Sequence, residues 1–547
     1  MSKFKKILIY EAVVLVLLFL TFCNEQKKDE NTSEEVTEYT LGNAYLEVSS
    51  NEEAKPYFEK GLLLLHSFEY WDAAEEFQKA QEMDPNFAMA YWGEAMTYNH
   101  SLWRGQQYEK AVETLGRLGE TPEERASKAK TQLEKDMLHA VEILFGEGTK
   151  FERDQQYSNY LGELHEKYPD NQEIAAFYAL SILGSVKEGR DEETYERGAI
   201  VAKGILEENP THPGALHYLI HSYDDPFHAF KALEAADSYS EVAESAGHAL
   251  HMPSHIYLAL GMWDKVVSSN EASYGAAVAR MERKGLGNNA RGYHYFHWLM
   301  YGYLQQGRFA EAREMVIDMQ KYSADPPSTN ARSYMINMMG NYLTETGDWK
   351  DEEVRNHEVD LESINIRTRA AYSFIKGMGN YVNNDPAALE ATINEILEDR
   401  KLAMGRMENR AIEGCGGSWR YEYPNQQDID IAEVIQIQLQ AKLSILKGDP
   451  EATENYLKKA ADLEKSLSYT FGPPDIMKPS HELYGEWLME QERFDEAIPL
   501  FEIALERGPK RVLSLKGIKK AYEFTGQDDK ANEIQAELDE IIKVTSV

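Results

Sequence analysis

The chain has 547 residues, 43% of them hydrophobic, and a formal net charge of −36 at pH 7. So large an excess of acidic residues opposes binding to a nucleic-acid phosphate backbone and is compatible with cationic ligands. Its two cysteines, Cys23 and Cys415, exclude a disulfide-rich scaffold, so stability must come from packing.

The N-terminus has the pattern of an export signal. Three lysines precede an apolar stretch at residues 12–22, which is too short to span a membrane comfortably. The four residues that end at Cys23, Leu-Thr-Phe-Cys, resemble a bacterial lipobox, in which the cysteine is acylated. We predict a lipoprotein-type signal peptide at residues 1–23, lipidation at Cys23, and a place in the bacterial cell envelope, periplasmic or outer-surface. Glu11 and Phe22 depart from the lipobox pattern, so an uncleaved membrane anchor is the alternative.

A polar, charged segment separates this signal from the body of the protein. Residues 24–42 contain almost nothing to bury, which predicts a disordered acidic tether. The Asp-Pro-Pro-Ser sequence at residues 325–328 interrupts the helical pattern further along. We therefore predict an N-terminal array at residues 43–325 and a C-terminal array at residues 326–547.

Two stretches match the tetratricopeptide repeat (TPR), a pair of antiparallel helices of ~34 residues. The repeat requires a small residue at position 8, alanine at 20 and 27, an aromatic residue at 24 and proline at 32. Counted from Ala54 and from Lys478, these positions are Gly61, Ala73, Phe77, Ala80 and Pro85, and Gly485, Ala497, Phe501, Ala504 and Pro509. Degenerate turns follow at Gly261, Gly307, Gly347 and Gly448. The pattern predicts an all-α TPR solenoid, a right-handed superhelix of antiparallel helix pairs with a concave inner wall.

Histidines are concentrated in one part of this array. Nine of the fifteen lie between His212 and His297, where an even spread would place roughly two. They recur as pairs three or four residues apart, a spacing that puts both imidazoles on one face of a helix. In TPR proteins the inner wall is formed mainly by positions 2, 5, 9, 12 and 13 of each first helix. In that register nine histidines face the wall: His66, His100, His217, His221, His248, His251, His255, His294 and His297.

Imidazole is the commonest protein ligand for transition metals, so this wall predicts a site for Zn, Cu or Fe. We assign His217, His221, His251 and His255 as the primary ligands, with His294 and His297 extending the set or holding a second ion. Secondary candidates are His66, His100, His248, Asp224, Asp225, His481 and Glu482. The two aspartates can ligate the ion or accept hydrogen bonds that fix imidazole tautomers.

The histidine-lined wall can also be interpreted as a binding site that contains no metal. The histidines can instead bind an organic or peptide ligand by hydrogen bonds and stacking, in a non-catalytic scaffold whose groove holds a protein or peptide. Asn337 and Asn341, at positions 5 and 9 of a later repeat, suit a peptide backbone.

Two glycine- and aromatic-rich loops, residues 413–419 and 469–474, are either functional or simple connections. Zinc-protease, phosphate-loop and serine-hydrolase motifs are missing from the sequence, so a metal-dependent hydrolytic or oxidative activity remains undefined.

The histidine block adds a family resemblance. Residues 212–226 and 248–256, the second reading HALHMPSHI, together with residues 478–485, resemble a group of bacterial exported TPR proteins. The likeness runs from about residue 52 to the C-terminus. It implies the fold and a shared histidine-lined feature, and no substrate.

Overall fold

The computed structural model describes residues 39–324, 327–410 and 424–543. The predicted signal peptide with Cys23, most of the predicted tether and the loop at 413–419 lie outside the described residues. Residues Leu41–Val547 group into one compact unit. The last residues of the predicted tether belong to this fold, because Leu41 is buried and the neighbouring Asn43 N–H donates to the carbonyl of Thr211 at 3.0 Å.

The described residues are almost entirely helical, as the sequence predicts. The first helices are α1 (Lys55–His66), α2 (Tyr70–Met83), α3 (Ala88–Thr97), α4 (Tyr108–Leu118), α5 (Pro122–Lys128), α6 (Gln132–Leu144), α7 (Lys150–Lys167), α8 (Gln172–Gly184) and α9 (Glu192–Glu208). The central helices are α10 (Pro213–Ser222), α11 (Leu233–Val242), α12 (Gly247–His251), α13 (Pro253–Ala259), α14 (Trp263–Lys284), α15 (Tyr293–Gln305), α16 (Phe309–Ala324) and α17 (Thr329–Thr346). The last helices are α18 (Glu352–Arg355), α19 (Ile366–Val382), α20 (Pro386–Arg410), α21 (Gln426–Lys447), α22 (Pro450–Ser466), α23 (Ser480–Glu490), α24 (Phe494–Arg507), α25 (Val512–Phe524) and α26 (Asp528–Ile541).

Helices stack in sequence order, which is the arrangement of a solenoid. Helix α1 packs against α2 and α3, and α19 packs against α20 and α21. In this architecture each repeat buries the apolar face of its neighbour. The fold is therefore an all-α, TPR-like solenoid, which confirms the predicted fold class.

The two full repeat matches show why the pattern needs its small and aromatic residues. The Phe77 ring from α2 fills the space over α1 and α3, and a Cβ added at Gly61 or Gly93 would lie 2.8 or 2.3 Å from that ring. Phe501 occupies the same place in the second match, against Gly485. The glycine at position 8 thus leaves the space that the aromatic ring at position 24 occupies.

Glycine turns lie between paired helices where the sequence predicts them. Gly261, Gly307, Gly347 and Gly448 have φ values between +66° and +75°, a conformation that glycine adopts without a Cβ penalty. Residues 327 and 328, which precede α17, are non-helical, in agreement with the break predicted near residues 325–328, whereas residues 325 and 326 lie outside the described residues. A domain boundary at this point stays a prediction.

Two features differ from a regular helical array. A small antiparallel ladder pairs β1 (Asn99–His100) with β2 (Gly105–Gln106), although the sequence shows no hairpin signal. In addition, the segment that carries His248, His251 and His255 is divided into α12 and α13 at Pro253, whose ring removes a backbone donor.

Distant repeats also touch, so the histidine-bearing helices lie inside the molecule. Helix α1 packs against α10, about 150 residues later. At the other end, the Trp263 indole N–H donates to the carbonyl of Lys510 at 3.0 Å, and the Val512 N–H donates to Gln305 Oε1 at 2.9 Å. The wall predicted to line an open groove is consequently enclosed by packing on both sides.

Among the described residues, none of the helices combines the length and the apolar character that a membrane crossing requires.

Candidate metal centre

The first histidine cluster is formed by α10 and α12. His217 and His221 lie one turn apart on α10, and His248 is in the first turn of α12. One ring nitrogen from each residue lies within 4.8 Å of the others. Three nitrogens that bind one ion at ~2.1 Å are roughly 3.5 Å apart, so small side-chain rotations suffice to close this cluster on an ion. We call these three residues the first triad.

The Nε2 nitrogens of the first triad make no hydrogen bond within the described part of the chain. His217 Nδ1 lies 2.7 Å from the carbonyl oxygen of His66, to which it must donate, so Nε2 carries the lone pair. The Nε2 atoms of His217, His221 and His248 are all buried, and the described residues offer none of them a hydrogen-bond partner. Buried polar atoms are normally satisfied, and three adjacent exceptions are typical of a site that binds something.

The second cluster follows directly along the chain and consists of His251, His255 and His294. His251 ends α12, His255 lies on α13 and His294 lies on α15. One nitrogen from each again lies within 4.8 Å of the others. We call these residues the second triad.

Hydrogen bonds orient the second triad in the same way. Asn270 uses its amide N–H on the Val266 carbonyl, so its oxygen accepts from His251 Nδ1 at 2.7 Å. His255 Nδ1 donates to Asp224 Oδ2 at 2.6 Å. With both Nδ1 atoms donating, the two Nε2 atoms carry lone pairs, yet they face each other at 3.1 Å. Two lone pairs at this distance repel unless a cation, either a proton or a metal ion, lies between them.

Burial favours the neutral form, which is the form that binds metals, in five of the six triad imidazoles. Desolvation lowers the pKa of His217, His221, His248, His251 and His294 well below 6.5, and the neighbouring histidines lower it further. The lone pairs are therefore available at neutral pH.

Aromatic rings surround the two triads. The Phe68 ring centroid lies 4.2 Å from that of His217, and the Trp298 ring lies 4.5 Å from that of His255. Phe68 has a φ of +54°, a strained conformation for a residue with a Cβ. Neither residue was identified from the sequence, because a buried aromatic residue looks the same whether it packs a core or encloses a site.

The aromatic loop at residues 469–474 covers the second triad. The Phe471 ring lies 5.2 Å from the His255 ring, and a Cβ at Gly472 would lie 2.6 Å from Trp298. Behind the loop is a cavity of ≈ 100 Å³, lined in part by Leu258, Trp263 and Tyr301. This loop therefore borders the site, whereas the other loop singled out, at 413–419, lies outside the described residues.

A third cluster, His66, Glu173 and His212, has the spacing of a metal site but is already satisfied by hydrogen bonds. His212 Nδ1 accepts from the Ala215 N–H, so its Nε2 donates to Glu173 at 3.2 Å. His66 Nε2 donates to the same carboxylate at 2.7 Å, and its Nδ1 accepts from Tyr218 at 2.9 Å. Every ring nitrogen has a partner, so this cluster joins α1, α8 and α10 without an ion.

The structure thus brings five of the six predicted main ligands into the triads. The sixth, His297, lies apart: its Nε2 accepts from Asn341 Nδ2 at 3.1 Å, and burial lowers its pKa to about 3. His248, predicted only as a secondary candidate, takes the remaining place. The sequence places His248 at position 2 of its repeat, which is an inner-wall position. The repeat position does not show which neighbouring helix the His248 side chain faces.

The other secondary candidates lie outside the triads. Asp224 accepts from His255, and Asp225 instead accepts from His228 Nδ1 at 2.8 Å. His100 lies in β1 and stacks on Tyr70. His481 lines the cavity and Glu482 is held by Arg511, Lys478 and Ser514.

The sequence matches no family model and no curated protein. Among solved structures, it is similar to yeast Tom70, with 12% identity, a TM-score of 0.33, and coverage of 88% of this chain and 90% of that one. Human IFIT1 bound to m7Gppp-AAAA gives 12% identity, a TM-score of 0.32, and coverage of 90% and 95%. The P58(IPK) TPR domain gives 13% identity, a TM-score of 0.18, and coverage of 87% and 99%. With TM-scores this low, the fold assignment rests on the helix pairing described above.

Proposed function

We propose that this chain is a transition-metal protein whose ions are bound by the two histidine triads inside a TPR-like solenoid. The observation that carries the proposal is that His217, His221 and His248 each place one ring nitrogen within 4.8 Å of the others, and that the buried Nε2 atom of each lacks a partner among the described residues. The ion is Zn, Cu or Fe on the basis of its imidazole ligands.

The partners of the Nδ1 atoms support the same proposal. Metal-binding histidines usually donate their second ring N–H to a carbonyl or carboxylate, which fixes the tautomer. His217, His251 and His255 each do so here, to the His66 carbonyl, the Asn270 amide oxygen and Asp224. His66 and His212 also donate to a carboxylate, that of Glu173, but their other ring nitrogens have partners too, whereas the Nε2 atoms of the first triad have none among the described residues.

The alternative, a scaffold that binds a peptide on the histidine wall, is disfavoured by burial. His217 and His251 are 0% exposed and His255 is 2% exposed. A peptide groove requires side chains that solvent can reach, and of the six triad histidines only His294 is partly exposed. A hydrolytic or oxidative reaction at the ion also forms part of the proposal and needs an open coordination position.

Metal content tests the proposal. The full-length chain is purified without chelator and without a histidine tag, and its metals are measured by elemental mass spectrometry. The variants are His221→Gln and His255→Gln, with a His139→Gln/His357→Gln variant as the matched control, since both of these histidines lie outside the triads.

We expect stoichiometric metal in the wild type and the control, and a loss in each triad variant. Circular dichroism checks that every variant is folded. If the wild type retains no metal after exposure to Zn, Cu and Fe salts, the proposal is wrong.

We further propose that the chain is lipid-anchored through Cys23 at the surface of a bacterial envelope membrane. The support is the lipobox-like sequence and the polar segment that follows it. Labelled palmitate should be incorporated into the wild type and not into a Cys23→Ser variant. Equal labelling of both would refute the anchor.

A further inference from the structure

We infer that the two triads form one dinuclear centre that binds a pair of copper(I) ions. This inference rests on the proposed function and adds to it the number, the identity and the oxidation state of the ions. It depends on the adjacency of the triads, on the charge around them and on the number of donors that each provides.

The triads are neighbours in contact. The ring centroids of His221 and His255 are 5.6 Å apart, and those of His248 and His251 are 6.0 Å apart. His248 and His251 are on the same short helix, α12, and belong to different triads. The segment from residue 247 to 259 therefore provides ligands to both triads. Two ions, one in each triad, would have only imidazole rings between them.

The three nitrogen donors in each triad favour copper(I). Each triad consists of three imidazoles, and neither includes a carboxylate or thiolate. Copper(I) accepts three nitrogen donors in a plane, whereas zinc bound by three protein ligands keeps a water molecule as its fourth ligand. The 3.1 Å separation of the two Nε2 atoms in the second triad is compatible with both atoms binding one ion.

Charge favours a monovalent ion. The cost of burying an ion rises with the square of its charge, and imidazole ligands bring no negative charge to offset it. Two carboxylates bond directly to triad residues: Asp224, which accepts from His255 Nδ1, and Glu69, which accepts from the His248 N–H at 2.9 Å. When both are ionised, these carboxylates balance two copper(I) ions but leave two positive charges uncompensated beside a pair of divalent ions.

The other charges close to the triads do not alter this balance. Arg190 donates to the carbonyl of His221, but it is paired with Asp225 at 3.0 Å. The rings of Phe68, Trp298 and Phe471 add apolar walls. These walls raise the cost of any uncompensated charge and shield copper(I) from water.

Anaerobic titration tests the inference. The full-length chain is titrated with copper(I) in ascorbate against bicinchoninate, a chromophoric copper(I) chelator, and separately with zinc(II) against a zinc chromophore. The variants are again His221→Gln for the first triad, His255→Gln for the second and His139→Gln/His357→Gln as the control. X-ray absorption at the copper edge reports the oxidation state and the number of nitrogen ligands.

We expect two copper(I) ions per chain in the wild type and control, one in each triad variant, and a three-nitrogen copper(I) spectrum. A tenfold excess of zinc should not displace the copper. Retention of two zinc ions in preference to copper(I) would overturn the inference and leave the metal site standing. A single copper that either variant abolishes would overturn the dinuclear arrangement. No binding of any metal would overturn both the inference and the proposed function.

Discussion

Asp224→Asn is the most informative single change outside the triads. Asp224 accepts from His255 Nδ1 at 2.6 Å, and both side chains are 3% exposed. The carboxylate holds the ring with its Nε2 lone pair towards the site and compensates the charge of the ion. Removing such a partner lowers metal affinity by about 10- to 100-fold, or roughly 1.4 to 2.7 kcal/mol. The upper end applies here, because a buried hydrogen bond to a charged group is about twice as strong as a neutral one.

The assay is titration of the purified chain against a chromophoric chelator, with thermal unfolding followed by circular dichroism as a check on the fold. Asp237→Asn is the matched control, since it removes the same charge from a carboxylate that is 46% exposed and pairs with Lys265. We expect the control to bind as the wild type does. Wild-type affinity in folded Asp224→Asn would refute the assignment of His255 as a ligand oriented by this carboxylate.

Three further predictions concern stability, each measured by urea unfolding. Gly93→Ala should destabilise the protein, because the added Cβ would lie 2.3 Å from the Phe77 ring. This overpacking costs about 1–3 kcal/mol, which outweighs the helix-propensity gain of about 1 kcal/mol. Gly116→Ala is the control and should not destabilise the protein, because the space around Gly116 is open. Arg511→Met should cost about 3–5 kcal/mol, because it leaves buried Glu345 without its paired cation and removes one of the two cations that pair with Glu482. An unchanged urea midpoint would show that these ion pairs do not stabilise the fold. Burial alone raises the pKa of Glu482, but Arg511 and a neighbouring lysine lower it to about 2, so its contribution is complete above about pH 4.5 and is lost towards pH 2. The stability difference between wild type and Glu482→Gln should therefore shrink over this range, and a constant difference would contradict the assignment.

Much of the local architecture was predictable, because TPR signals are short-range. Gly61 and Phe77 lie 16 residues apart and pack within one helix pair, so their spacing alone identifies the repeat. The pairs His217 with His221 and His251 with His255 share a face for the same reason, since four residues make about one helical turn. The sequence also shows Pro253, whose missing backbone donor accounts for the break between α12 and α13.

The grouping of the ligands was not predictable from spacing. Repeat register placed His297 on the same wall as His294, yet in the structure His297 is bound by Asn341, and His248 completes the first triad instead. Degenerate repeats leave the rotation of each helix uncertain by a residue or more, and one residue turns a side chain by about 100°. That rotation decides which cluster a histidine joins.

The sequence by itself determined the helical repeats, the turns between them and the helices on which histidines occur in pairs, because these depend on contacts within about one repeat. Only the tertiary structure decided that six histidines form two adjacent triads and that aromatic rings enclose them. It also decided the partners that fix their tautomers: the His66 carbonyl lies 151 residues from His217, and Asp224 lies 31 residues from His255. Such contacts depend on how successive helix pairs curve back on one another, and the small rotation between neighbours accumulates over the array. No local pattern of residues specifies this accumulated rotation.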